Sequence, residues 1–278
     1  MRVDFALGLA FVNLNGDAPP LSEWLGDLVP SLSDYEDFIG QGGPGLVAHA
    51  RKTYDVTANW KLLLENYLEY YHLPAVHPDL CHVSGVDEHR RHQGKGMYMG
   101  FATEPLTRGG TPIDPGRIPP FPTLRARHTE MAYHVAIFPN TFFSLYPDAI
   151  FRIILSPTSA GRTIEYATYL TSRETLEQTP NAQAILDDMY AFWDQINSED
   201  IGIVEKVQQG TAAHVYTGGR FSFRFEEPVH RFQNMVVDKM VDEPSTRYRI
   251  PEGDSDFHEV AAARHSDDSS EQAAVGGA

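Results

Sequence analysis

One cysteine in 278 residues, Cys81, is the most restrictive feature of this chain. A disulfide, a CxxC redox pair and a thiolate-held iron–sulfur cluster each need at least two, so none can be built within it. Positive charge is also scarce: 22 Lys and Arg stand against 38 Asp and Glu, and the resulting net charge of −16 repels phosphate backbones and argues against nucleic acid as a partner. No run approaches the ~20 consecutive apolar residues of a membrane span. The N-terminus has neither a basic segment nor a sustained apolar core, so a cytoplasmic chain without membrane association is expected. What is present suits a substantial core, with 42% apolar and 22% charged residues. With thiolates scarce, any metal must be held by nitrogen and oxygen, which turns attention to the 12 histidines and the carboxylates.

Phe5 to Asn13 reads as a strand-like run, followed by a turn-rich stretch from Asn15 to Pro20 and a short helical pattern over Leu21 to Val29. Gly40 to Gly45 reads as a connection. The spacing of Trp60, Leu63, Leu64, Tyr67 and Tyr71 predicts a helix that Pro74 stops. Gly94 to Arg127 is rich in Gly and Pro and is expected to be a lid or a loop over a pocket. Tyr133, Val135 and Ile137 alternate with other residues, as do Phe151, Ile153 and Leu155 and then Ile164, Tyr166, Thr168 and Leu170, which predicts an antiparallel meander. Phe221, Phe223 and Phe225 read as a half-buried strand. A long helix is expected after Pro180, with Ile185, Met189, Phe192, Ile196, Ile203 and Val207 as its stripe and Gly210 at its end. Another helix should start at Pro228, with Val229, Phe232 and Val236 facing inward. The polar stretch after Pro251 has no period and is expected to be a disordered tail.

The chemistry concentrates in Glu69-Tyr-Tyr-His72-Leu-Pro-Ala-Val-His77. On a continuous helix Glu69 and His72 share a face, while His77 lies beyond Pro74 and is held extended by Pro78. The zinc protease pattern HExxH differs, because there both histidines sit on one unbroken helix. Asp200 falls on the apolar stripe of the later helix, where an unpaired carboxylate costs on the order of several kcal/mol unless it meets a cation or a metal. Two imidazoles and a carboxylate with positions left for oxygen are the donor set of non-haem Fe(II) oxygenases. The bland readings are two histidines capping a helix end, Glu69 as a surface acid, and Ser198 capping a restarted helix with Asp200 in its first turn. His82, His89 and His92 beside Cys81 lack zinc-site spacing and read as a solvated loop.

The run Asn59-Trp-Lys-Leu-Leu-Leu-Glu-Asn-Tyr-Leu-Glu-Tyr-Tyr-His72, continuing to His77-Pro78, resembles the iron-site motif of Rieske non-haem iron oxygenases, the ring-hydroxylating dioxygenase α-subunits and their quaternary-ammonium and demethylase relatives. Phe138-Pro-Asn140, Glu199-Asp200 to Gly210, and Gly219 to Val229 are similar to that family as well. The resemblance implies an α+β fold of the helix-grip (START-like) type, an antiparallel sheet wrapped around long helices. It also implies mononuclear Fe(II) held by His72, His77 and Asp200, with Glu69 as the acidic bridge to the cluster of a neighbouring subunit. Substrate would be a small aromatic or quaternary ammonium compound, oxidised with O2 by a mono- or dioxygenase reaction. A Rieske protein, a reductase and a homotrimeric assembly would be the partners.

The departure from the family is its two-iron two-sulfur cluster, which needs CxH and CxxH pairs that this sequence does not contain. Residues 1–45 are therefore expected to be the end of a Rieske-type domain plus linker, residues 46–250 the catalytic domain and residues 251–278 the tail. Truncation, a split arrangement with the cluster on a partner, and degeneration all fit. The alternative function is a helix-grip ligand-binding module that keeps the pocket without turnover.

Overall fold

A computed structural model describes residues 1–35, 45–106, 111–114, 117–241 and 243–253. Gly40 to Pro44 of the glycine-rich connection and the expected tail from residue 254 onward lie outside the described residues. The N-terminal run is two strands, β1 (Arg2–Ala6) and β2 (Leu9–Asn13), because Leu7 and Gly8 both take positive φ, 52° and 66°, and form a tight hairpin turn. Two short helices follow, α1 (Leu21–Leu25) and α2 (Leu28–Ser31).

The body of the fold is a seven-stranded antiparallel sheet. Its strands are β3 (Leu46–Val56), β4 (His89–Arg91), β5 (Tyr98–Thr103), β6 (Ala132–Ile137), β7 (Thr141–Leu145), β8 (Ala149–Ser159) and β9 (Arg162–Ser172). In space they run β3-β9-β8-β7-β6-β5-β4, a meander that the first long strand closes at one edge. The expected lid after Gly94 thus contains β5, a strand between β4 and β6. It escaped periodicity because all six of its residues are buried, so apolar and polar positions do not alternate. Gly100 is required there, since a Cβ would lie 2.0 Å from the carbonyl oxygen of His134 on the next strand.

Between β3 and β4 come α3 (Trp60–Leu68) and α4 (Leu73–Val76); after β9 come α5 (Arg173–Gln178), α6 (Ala182–Thr211), α7 (Glu227–Met240) and α8 (Pro244–Arg247). Opposite faces of the strands feed two cores. Ala136, Phe142, Phe151, Ile153 and Leu155 pack with Leu63, Leu64 and Leu68 of α3, Met189, Trp193 and Ile196 of α6, and Phe232 of α7. Tyr133, Val135, Ile137, Phe143 and Leu145 pack with Leu25, Leu28 and Tyr35 on the other side. This is the expected α+β class. No strand forms at Phe221 to Phe225: Phe223 is 87% exposed, while Phe225 packs edge-on against Tyr70. Among the described residues no helix is long and apolar enough to cross a membrane.

Asp148, in the connection from β7 to β8, is 1% exposed. Burial pushes its carboxyl up to about 7 from an ordinary 3.8, against the opposing pull of its own backbone N–H and the charge of Arg117. Over that window the folded chain keeps a proton that the unfolded chain has released, so stability falls as pH rises, by at most ~1.4 kcal/mol per pH unit. Asp148→Asn cannot ionise. Its thermal midpoint relative to the parent should rise between roughly pH 4 and pH 7, and a pH-independent difference in calorimetric scans would refute this source of acid-side stability.

Candidate metal centre

Helix α3 starts where the Asn59 side chain accepts the Lys61 N–H at 3.0 Å, and its register is fixed by Asn59 N–H donating to Gln208 of α6 at 2.8 Å. The helix does not continue to Pro74. It ends at Leu68, and Glu69 already has extended backbone, φ −115° and ψ 159°. The Glu69 carboxylate compensates for the lost helical bonds by accepting the backbone N–H of Tyr71 at 2.8 Å and of His72 at 3.3 Å. It also pairs with His72 Nδ1, so the two side chains meet through a turn rather than along a helix face. Pro74 sits in the first turn of α4, where its missing N–H costs nothing. His72 and His77 flank that four-residue helix, with ring centroids 5.2 Å apart and planes at 80°.

Asp200 comes from α6, which spans 30 residues without a break. The restart at Ser198 does not occur; its hydroxyl donates instead to the Asp194 carbonyl at 2.7 Å, one turn back. The apolar stripe drifts along this long helix: Leu186, Trp193, Asn197 and Val204 are buried beside the expected Met189, Phe192 and Ile196, and Val207 is exposed. Asp200 nevertheless points at both histidines, its Oδ1 lying 2.8 Å from His77 Nε2 and 3.5 Å from His72 Nε2. One donor atom from each of His72, His77 and Asp200 lies within 4.8 Å of the others, and among the described residues no other group of His, Cys, Asp and Glu converges in this way. Glu69 stands behind His72, on the nitrogen that faces away from Asp200.

Burial opposes the charge on His72, but Asp200 and Glu69 outweigh it and push its pKa up to about 9. His77, also opposed by burial, is raised by Asp200 and Glu199. Burial would raise Asp200, yet the two imidazoles hold it down to about 2. The carboxylates thus favour protons on the two imidazoles, positive charge of the kind that a divalent cation would bring. The donor set therefore fits such an ion, whose binding would displace those protons.

Several residues here carried no signal in the sequence. Glu199 bonds His77 Nδ1 at 2.8 Å, and Asn66 donates to Asp200 Oδ1 at 2.8 Å. Both sit on helical faces that look ordinary until the helices pack together. Beside the centre lies a pocket, partly open to solvent, lined by Asp200, Glu165 and the rings of Tyr67, Phe142, Phe151 and Trp193. Glu165 of β9 is 2% exposed and accepts the Asn197 amide at 2.8 Å; burial pushes its carboxyl up to about 7. The histidines read as a solvated loop divide. His82 is exposed, whereas His89 and His92 are 7% and 1% exposed, and burial lowers each to about 4. His89 stacks on Tyr70, which explains an imidazole in an apolar layer.

A family model for the ring hydroxylating alpha subunit (catalytic domain) matches residues 45–242. The carnitine monooxygenase oxygenase subunit of Acinetobacter pittii is 26% identical over 224 residues, 78% of this chain and 54% of the relative. The glycine betaine monooxygenase oxygenase subunit of Pseudomonas aeruginosa is 22% identical over 280 residues, 87% of this chain and 61% of the relative. The chain thus spans little more than half the length of these relatives. A solved quaternary ammonium Rieske monooxygenase superposes with a TM-score of 0.68 at 22% identity, covering 84% of this chain and 60% of that one. Naphthalene 1,2-dioxygenase with indole bound does so with 0.62 at 16% identity, covering 88% and 66%. At those identities the structures speak for the fold, and with the family match they establish that this chain belongs to the ring-hydroxylating α-subunit family, as a Rieske oxygenase catalytic domain.

Proposed function

We propose that this chain is the oxygenase half of a Rieske-type reaction, in which a small organic molecule is hydroxylated or demethylated with O2 and electrons delivered from outside residues 46–250. The observation that carries it is the convergence of His72, His77 and Asp200 at the edge of a pocket in this fold. These three residues would hold Fe(II), which when bound supplies the redox chemistry that activates O2. The protein's own contribution is positional. Asn66 fixes the Asp200 carboxylate, Glu199 and Glu69 hold the outward nitrogens of His77 and His72, and those carboxylates favour imidazoles that present their Nε2 atoms inward. The aromatic pocket beside Asp200 seats and desolvates the substrate.

Residues 1–45 are read as the end of a cluster-bearing domain plus linker, and the electrons are assigned to a two-iron two-sulfur Rieske partner and its reductase, because the single cysteine cannot hold that cluster. A trimeric assembly follows from the same reading. The substrate is placed among quaternary ammonium compounds rather than arenes, since the relatives named above act on carnitine and glycine betaine. The test is product formation by the iron-loaded chain with O2, a reductase and a quaternary ammonium substrate, with and without a Rieske protein. Sustained turnover is expected only with the Rieske protein; many turnovers with the reductase alone, or none with the full set, would overturn the proposal.

A further inference from the structure

The pocket beside the metal centre contains a carboxylate that the metal-binding residues do not need. Glu165 projects from β9 into that pocket, is 2% exposed, and makes one hydrogen bond, from Asn197 to its Oε2 at 2.8 Å. Among the described residues no Lys, Arg or His pairs with it, and its second oxygen has no protein donor. A buried acid without a counter-charge is costly, and folds keep one where a ligand completes it. Around it stand four aromatic rings in two stacks, Tyr67 on Phe142 with centroids at 4.1 Å and Phe151 on Trp193 at 5.4 Å. Ring faces attract cations, and a carboxylate only 2% exposed beside them adds to that attraction.

From these features we infer that Glu165 is the specificity-determining residue of the pocket, the carboxylate that an organic cation completes and a neutral molecule of the same shape does not. This rests on reading the pocket as the substrate site of the oxygenase. Glu165 does not hold the metal; it positions the charged end of the substrate, with the rings enclosing the alkyl groups around the cationic nitrogen. A protonated Glu165 serving only as a core acid would show no preference for charge, and the two roles therefore separate by experiment.

The experiment compares choline with dimethylbutanol, in which a tert-butyl carbon replaces the trimethylated nitrogen, by calorimetric titration of the full chain with its iron content measured in parallel. The parent protein should bind the cation about tenfold or more tightly than its neutral isostere. Glu165→Gln should bring the two within about twofold, chiefly by weakening the cation, while iron content stays at the parent level. A parent protein that prefers the neutral compound, or binds neither, overturns the inference. So does a Gln variant that keeps the full preference. Should Glu165→Gln not fold, the ratio in the parent still decides, and Glu165→Asp, which keeps the charge, should retain it. Loss of the oxygenase reading would show separately, as iron that is indifferent to His72 and His77 substitution while the cation preference persists.

Discussion

Replacing His72 or His77 by alanine is expected to leave the chain without ferrous iron under conditions in which the parent binds about one ion per chain. The loss should exceed ~100-fold in affinity, because the groups behind metal ligands are alone worth about 10–100-fold. Asp200→Ala should do the same, with a second consequence visible without metal. Asp200 is the first of the two carboxylates that outweigh burial and hold His72 up at about 9, so its removal should bring the His72 imidazole down by proton NMR titration. Iron unchanged in the histidine variants would place the metal elsewhere. An unmoved His72 titration in Asp200→Ala would mean that the 3.5 Å approach of the two groups does not govern the charge of the site.

Glu69→Gln is expected to separate iron binding from electron supply. Glutamine keeps the shape that accepts the Tyr71 and His72 backbone N–H groups but removes the negative charge from His72 Nδ1. Iron affinity should therefore fall by about 10–100-fold at most, less than at the ligands themselves, so that the variant still loads at saturating iron. By its resemblance to the acidic bridge of the family, the same residue should matter far more when electrons must arrive from a Rieske partner. The steady-state rate in a reconstituted system is expected to drop about 100-fold or more, while a single turnover of pre-reduced protein stays within a few-fold of the parent. Equal losses in both measurements would assign Glu69 to the iron or the fold and remove it from the electron route. Its 9% exposure in the isolated chain fits a residue covered by neighbouring side chains yet adjacent to Tyr71, which is 55% exposed.

Much of the site was legible along the chain because its chemistry is encoded at short range. Glu69, His72 and His77 are tied by a spacing that survives even though the helix carrying it ends at Leu68 rather than at Pro74. Asp200 stood out as a carboxylate on an apolar stripe, and the stripe is real although it drifts by Val207. Strands with one face toward polar or mixed surroundings were readable from alternation, as at Phe151, Ile153 and Leu155. The sequence by itself thus determined the donor types, their spacing, and the scarcity of cysteine that leaves these residues unable to hold an iron–sulfur cluster.

Tertiary structure decided what depends on two distant segments meeting. β5 is buried on both faces, so no period marks it, and only the pairing of Gly100 against β6 reveals a strand where a lid was expected. Glu199 and Asn66 look like ordinary helix residues until α3 and α6 pack and their side chains meet His77 and Asp200. Glu165 is the sharpest case. In the sequence it alternates with Ile164 and Tyr166 like any exposed strand residue, and it becomes a buried carboxylate without a counter-charge only because α6 brings Asn197 to it and Trp193 onto Phe151 of the neighbouring β8, closing an aromatic pocket around it. Local patterns record which residues prefer water, but the energy of a charge depends on which groups the rest of the chain places beside it, and that is set by the fold.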